Sequence, residues 1–151
     1  MKVKDMMTKR PVAVRPGDTF RKAVHVMTSK NISGCPVVEN RRLVGTITQT
    51  DIIRAVDVYG KINKDSDVFT MLVSMLKSGS NTAHLRKLLR SKVREIMTND
   101  AVSVDIDSDI YEAARLMNKH DVDQLHVVKS EELVGILTKK DIMRFLGKVG
   151  G

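Results

Sequence analysis

Hydrophobic and polar positions follow two periods along this 151-residue chain. Phe20, Ala23, Val24 and Met27 recur at i, i+3, i+4 and i+7, the spacing of an amphipathic helix with one buried face. Asp18 stands just before them, and its side-chain oxygen can accept from the free N–H groups of a first turn, which predicts the helix start there. Upstream, Val12 and Val14 read as a short strand ended by Pro16-Gly17. Downstream come two apolar runs, Pro36-Val37-Val38 and Leu43-Val44-Gly45-Thr46-Ile47, joined by the polar turn Glu39-Asn40-Arg41-Arg42. That pattern predicts a tight β-hairpin. A second helix is expected to start in Asp51-Ile52-Ile53-Arg54-Ala55-Val56.

The whole pattern then repeats. A shift of 90 residues places Val3 on Val93, Met7-Thr8 on Met97-Thr98, and Val12 and Val14 on Val102 and Val104. It also places Ala23 on Ala113, Met27 on Met117, Val37-Val38 on Val127-Val128, and Leu43-Val44-Gly45 on Leu133-Val134-Gly135. Thr48 falls on Thr138, Asp51-Ile52 on Asp141-Ile142, and Arg54 on Arg144. The second copy starts its helix at Ser108 and carries Ile110, Ala113, Ala114 and Met117 on the apolar face. Ordered matches of this kind identify an internal repeat. Each unit reads strand, helix, strand, strand, helix. One unit alone has little apolar surface to bury, and two packed sheet against sheet would share a core.

These residues resemble the cystathionine-β-synthase (CBS) domain, which occurs in tandem pairs. Val3-Lys4-Asp5-Met6-Met7-Thr8 and Val93-Arg94-Glu95-Ile96-Met97-Thr98 resemble its entry segments. Ser33-Gly34-Cys35-Pro36-Val37-Val38 is similar to its entry into the second strand. Gly45-Thr46-Ile47-Thr48-Gln49-Thr50-Asp51 and Gly135-Ile136-Leu137-Thr138-Lys139-Lys140-Asp141 resemble its strand-to-helix motif. The resemblance implies an α/β (α+β) fold of two β-α-β-β-α repeats, packed sheet to sheet with pseudo-two-fold symmetry. Repeat one would span 1–56, a helical insertion 57–92, and repeat two 93–151. It also implies ligand sensing without catalysis, with adenosine-containing ligands held in clefts between the repeats.

The Thr/Asp spacing suits a nucleotide. A carboxylate at the start of a helix can accept two hydrogen bonds from the cis hydroxyls of a ribose. The Thr48 hydroxyl and the N–H groups of the helix start can face a phosphate, because helix N-termini favour anions. Thr138 and Asp141 repeat the arrangement. By resemblance, the base would lie near Ile32-Ser33-Gly34, and near Val122-Asp123-Gln124 in the second copy. Arg10 and Asp100 fall where the family often contacts its ligand. The competing reading of Thr48 and Asp51 is a helix cap at Thr50 or Asp51. Asp51→Ala separates the two, since ligand contact predicts a loss of binding much larger than the loss of stability.

The copies differ. Repeat one has Gly34-Cys35-Pro36, where glycine admits a close backbone approach. Repeat two has Gln124-Leu125-His126. Arg10 and Arg15 are replaced by Asp100 and Asp105. Two inequivalent sites are therefore expected, one occupied and one empty.

Composition narrows the classes. Aromatic residues are 3% of the chain, so Val, Ile, Leu, Met and Ala must build the core. No apolar run approaches the roughly 18 residues that cross a bilayer. The start of the chain has no long apolar stretch, which argues against a secretory signal and for a cytoplasmic location without membrane partners. Cys35 is the only cysteine, so an intrachain disulfide and a thiolate zinc cluster are excluded. It reads as a small buried filler. His126 reads as a polar strand end rather than a metal ligand, and His25, His84 and His120 as isolated and solvent-facing. No catalytic triad or metal signature stands out, and no cofactor is required.

The net charge is +8. Seven basic residues (Lys61, Lys64, Lys77, Arg86, Lys87, Arg90, Lys92) and three acidic ones (Asp57, Asp65, Asp67) give the 36-residue insertion +4, half of the excess. Its pattern predicts a break at Tyr59-Gly60, a helix over 68–76 capped by Asp67, a turn at Ser78-Gly79-Ser80-Asn81, and a second helix over 84–94. That second helix would place Leu85, Leu88, Leu89 and Val93 on one face. The leading reading is a regulatory module binding AMP, ADP or ATP, with S-adenosylmethionine and NAD as related adenosyl ligands. It would form a homodimer, partly through the insertion, and act through an effector protein. The alternative is a protein-interaction or nucleic-acid-binding module using the basic 84–94 helix, with vestigial clefts.

Overall fold

The computed structural model describes residues 1–64 and 80–150. The fold is mixed α+β. The strands among the described residues are β1 (Thr8–Lys9), β2 (Gly34–Glu39), β3 (Arg42–Thr48), β4 (Ser103–Asp105), β5 (Gln124–Lys129) and β6 (Glu132–Thr138). The helices are α1 (Phe20–Ser29), α2 (Gln49–Lys64), α3 (Ser80–Arg90), α4 (Ile110–His120) and α5 (Lys139–Val149). Hydrogen-bonded neighbours run β2-β3-β6-β5-β4, and β1 pairs with β6.

Two compact units emerge, and they interleave the repeats. The first holds Met1–Ala13, Pro36–Thr46 and Asn99–Gly151; the second holds Val14–Cys35 and Ile47–Thr98. The cause is a reciprocal exchange of entry segments. In the first unit, Val3 N–H donates to the Ser108 carbonyl at 2.8 Å and Lys4 N–H to Ile106 at 3.2 Å. In the second, Val93 N–H donates to Asp18 at 2.8 Å and Arg94 N–H to Pro16 at 3.0 Å. Each short 3-10 turn, Val3–Asp5 or Val93–Glu95, docks on the helix start of the other repeat. Val3 and Val93 are both fully buried by this docking.

The first unit's core is Val3, Val104, Ala113, Met117, Leu125, Val127 and Leu137. β5 and β6 are antiparallel, with Gln124 opposite Thr138, and β4 runs parallel to β5. Leu125 and Val127 point into the core, so Gln124 and His126 project from the opposite face. β1 lies antiparallel to β6, with Lys9 opposite Gly135. A side chain cannot fit there: a Cβ on Gly135 would stand 2.9 Å from the Thr8 carbonyl oxygen and 2.5 Å from Met7 Sδ. In the second unit Val14, Phe20, Ala23, Met27, Cys35, Ile47, Leu88 and Val93 are buried. Burial pushes the Cys35 thiol up to about 11, consistent with an inert filler.

Both hairpins turn through two residues in the left-handed region: Asn40 and Arg41 at φ 51° and 67°, Ser130 and Glu131 at 49° and 68°. Positive φ at both central positions is the type I′ signature, whose twist matches the flanking strands.

Several expectations need correction. The helix caps are Thr19 and Asp109, not Asp18 and Ser108: Thr19 accepts from Lys22 N–H and Asp109 from Glu112 N–H. Asp18 is already occupied, accepting from Arg15 N–H at 2.8 Å and pairing with Lys22 at 3.1 Å. The first strand of repeat one shrinks to a single bridge residue, Val14. Ala114 is exposed, because the buried stripe of α4 runs through Ile110, Ala113 and Met117. α2 continues through Tyr59 and Gly60 to Lys64 instead of breaking; one glycine in a helix costs only about 1 kcal/mol. Ser80 and Asn81 belong to α3 rather than to a turn, and α3 ends at Arg90, not Arg94. Of its expected apolar face, Leu88 and Val93 are buried but Leu85 is exposed. The expected helix over 68–76 lies outside the described residues.

Candidate functional site

Each strand-to-helix motif folds into a reciprocal cap. The Thr48 N–H and hydroxyl both donate to Asp51 Oδ2, at 2.8 and 2.9 Å, while Asp51 N–H donates back to the Thr48 hydroxyl at 3.3 Å. The second copy has the same three bonds at 2.9, 2.8 and 3.2 Å between Thr138 and Asp141. This is a capping box with Thr at the cap and Asp three residues on. The cap is therefore Thr48, not Thr50 or Asp51. In this arrangement the threonine hydroxyl donates to the carboxylate.

What remains for a ligand is the second oxygen of each carboxylate. Asp51 Oδ1 accepts from the Thr98 hydroxyl at 2.9 Å and lies 3.6 Å from Arg54 Nη1. Asp141 Oδ1 has Arg144 Nη1 at 3.3 Å. Both aspartates are nearly buried, 5% and 7% exposed, while their arginine side chains stay about two-thirds exposed at 67% and 66%. Such an arrangement presents one acceptor oxygen for hydroxyl donors beside one cation for an anion. Thr98 and the two arginines were not singled out as site residues. Their signal was present, since Thr8/Thr98 and Arg54/Arg144 are matched positions of the repeat.

The strand starts bring the other candidates alongside. Gln49 N–H donates to the Ser33 carbonyl at 3.0 Å, which seats Ile32, Ser33 and Gly34 beside Thr48 in the second unit. Lys139 N–H donates to the Asp123 carbonyl at 3.0 Å, which seats Val122, Asp123 and Gln124 beside Thr138 in the first. Left-handed residues at the helix ends, Asn31 and Asp121 at φ 50°, turn the chain into these positions. Ile32 and Asp51 nevertheless open on different concavities. Ile32 lines a groove of about 480 Å³ with Met27, Ile52 and Ile53. Asp51 lines a cavity of about 300 Å³ on the next face of α2, with Arg54, Ala55, Val58, Leu88, Ser91, Glu95 and Ile96. Arg10 is exposed at φ 52° beyond β1, and Asp100 is exposed.

His126 is not a strand end. It is the third residue of β5, 2% exposed, with Nδ1 3.1 Å from the Val102 carbonyl. A carbonyl only accepts, so Nδ1 carries the proton, and Nε2 is a buried lone pair without a partner among the described residues. Burial lowers the pKa of the imidazole, and the Val102 contact opposes this only in part. A histidine whose folded pKa is depressed contributes stability fully above its unfolded value, and loses it as pH falls below about 6.5. Thermal melts from pH 7.5 to 5.5 should therefore show stability falling by up to about 1.4 kcal/mol per pH unit, and His126→Leu should flatten that slope. An equal slope in both proteins would refute the assignment. His25 and His120 are exposed. No group of three His, Cys, Asp or Glu side chains able to hold a metal occurs among the described residues. No helix of the described residues is long and apolar enough to cross a membrane.

The CBS domain family model matches residues 3–58 and 93–148, both repeats from end to end. The chain belongs to the CBS domain family. Two curated relatives from Methanocaldococcus jannaschii, the uncharacterized proteins MJ1232 and MJ1426, are each 30% identical over 97% of this chain. The chain spans 91% of MJ1426 but only 40% of MJ1232. Among solved structures, CBSX2 in complex with AMP aligns with a TM-score of 0.75 at 23% identity, covering 99% of this chain and 98% of that one. The CBS domain pair of MJ0100, in complex with 5′-methylthioadenosine and S-adenosyl-L-methionine, aligns with a TM-score of 0.72 at 24% identity, covering 99% and 98%. These are CBS pairs throughout, and the fold of this chain is theirs.

Proposed function

We propose that this CBS pair is a regulatory module that binds an adenosine-containing ligand and performs no chemistry itself. The observation that carries the reading is Asp51: a nearly buried carboxylate with one oxygen fixed in the cap, on a residue that lines a cavity of about 300 Å³ beside an exposed arginine. That volume sits at the lower end of small-molecule sites, about 300–1,000 Å³. The ligands of CBSX2 and MJ0100 support the class, AMP on one side and S-adenosylmethionine on the other. Thr48, Asp51, Thr138 and Asp141 form the polar ends of the two sites. Ile32, Ser33, Gly34, Val122, Asp123, Gln124, Arg10 and Asp100 are retained as flanking contacts.

A homodimer in the cytoplasm is part of the same proposal. α2 exposes Ile53 and Val56, and α5 exposes Met143, Leu146 and Val149. Ile53 matches Met143 and Val56 matches Leu146 across the repeat, so both copies leave the same apolar helix face uncovered, as docking faces do. Light scattering should give twice the chain mass. The ligand itself is tested by thermal shift with AMP, ADP, ATP and S-adenosylmethionine. At least one should raise the melting temperature in a concentration-dependent way; no shift with any of them would sink the reading.

A further inference from the structure

We propose that the inserted helix α3 is a wall of the Asp51 site, so that a ligand bound there is felt by the insertion. This rests on the adenosyl-ligand reading and adds the element that would transmit occupancy.

Asp51, Arg54, Ala55 and Val58 are spaced i, i+3, i+4 and i+7, so they form one stripe of α2. Leu88 and Ser91, at the end of α3, face the same cavity, with Glu95 and Ile96 from the following 3-10 turn. Leu88 comes from outside the repeats, yet it is 1% exposed. α3 packs against both α1 and α2. Its end is also hydrogen-bonded to the start of α1: the Ser91 carbonyl accepts from Phe20 N–H at 2.8 Å, and Lys92 forms an antiparallel bridge with Thr19. A ligand with its hydroxyls on Asp51 and an anionic group on Arg54 has its apolar ring over Ala55, Val58, Leu88 and Ile96. The Ile32 groove lies on the next face of α2 and flanks this site.

The repeat shows why this site is open. The 90-residue shift replaces Ala55 by Phe145 and Val58 by Lys148. A phenyl ring and a charged chain stand in the second copy where the first has a methyl group and a valine. Small side chains on α2 and an inserted wall opposite them distinguish the first site.

The test combines hydrogen exchange and binding on the full chain, using whichever of AMP, ATP or S-adenosylmethionine binds most tightly. Amides of residues 85–96 should exchange about tenfold more slowly with ligand. Ala55→Phe, which copies the second repeat, should weaken binding at least tenfold and abolish that protection. Val58→Lys does the same at a position already 46% exposed, where the fold tolerates the change. Binding that survives both substitutions, without protection of 85–96, overturns the inference and leaves the adenosyl reading standing. Absence of binding by all three ligands overturns the reading, and this inference with it.

Discussion

Asp51→Ala is expected to destabilise the protein by about 2–4 kcal/mol as well as to abolish ligand binding. Removing the Asp51 side chain breaks the capping box around Thr48, a loss on the scale of about 0.5–2 kcal/mol. The Thr48 N–H and the Thr98 hydroxyl then lose the acceptors they reach at 2.8 and 2.9 Å, and part-buried donors left unpaired add about 1–3 kcal/mol. A loss of that size lowers the melting temperature by roughly 2–4 °C per kcal/mol in a chain of this length. The sequence suggested that ligand contact and capping were alternatives, to be separated by this substitution. The two roles are compatible in one carboxylate: Oδ2 belongs to the cap, Oδ1 accepts from Thr98, and Asp51 lines the cavity. Asp51→Asn is therefore the discriminating variant. Its amide oxygen can replace Oδ2, and its amino group can donate to the Thr98 hydroxyl, so the cap survives at a cost of about 1 kcal/mol or less. The charged acceptor oxygen becomes a neutral amide donor, so a ribose hydroxyl loses the charge-assisted bond it would donate to the carboxylate.

Gly135→Ala is the second large effect, expected at about 3 kcal/mol without any loss of ligand-contacting groups. The added methyl would stand 2.9 Å from the Thr8 carbonyl oxygen, which is backbone and cannot rotate away. Overpacking of this kind costs about 1–3 kcal/mol, occasionally more. Relief requires β1 to move from β6, and β1 is continuous with the turn that buries Val3. Denaturant unfolding should show a lower midpoint for Gly135→Ala, with a slope close to that of the parent protein. A midpoint within experimental error of the parent would show that the β1–β6 contact is not tight.

The sequence displayed what repeats locally and hid what the repeat makes ambiguous. Helices α1 and α4 and both hairpins followed from period alone, because Phe20, Ala23 and Met27 and their counterparts bury one face. The caps slipped by one residue where two neighbours, Asp18 and Thr19, were equally able to cap and only the Arg15 turn decided between them. The exchange of entry segments was not readable. Val3 and Val93 occupy identical patterns, so each fits the helix start of either copy, and only tertiary packing chooses the other one. The Thr/Asp pairs were readable as candidate site residues, but which carboxylate oxygen the cap takes is set by the folded geometry. The cavity also draws on Leu88 and Ser91 from a segment with no counterpart in the repeat, where internal comparison has nothing to compare.

The most direct test of the account is a calorimetric comparison of AMP with 2′-deoxy-AMP in the parent protein and in Asp51→Asn. If Asp51 Oδ1 holds the ribose, the parent should prefer AMP by at least tenfold, equivalent to about 1.4 kcal/mol. Asp51→Asn should lose most of that preference while melting within a few degrees of the parent. An undiminished preference for AMP in Asp51→Asn would contradict the account and leave the carboxylate as a helix cap alone.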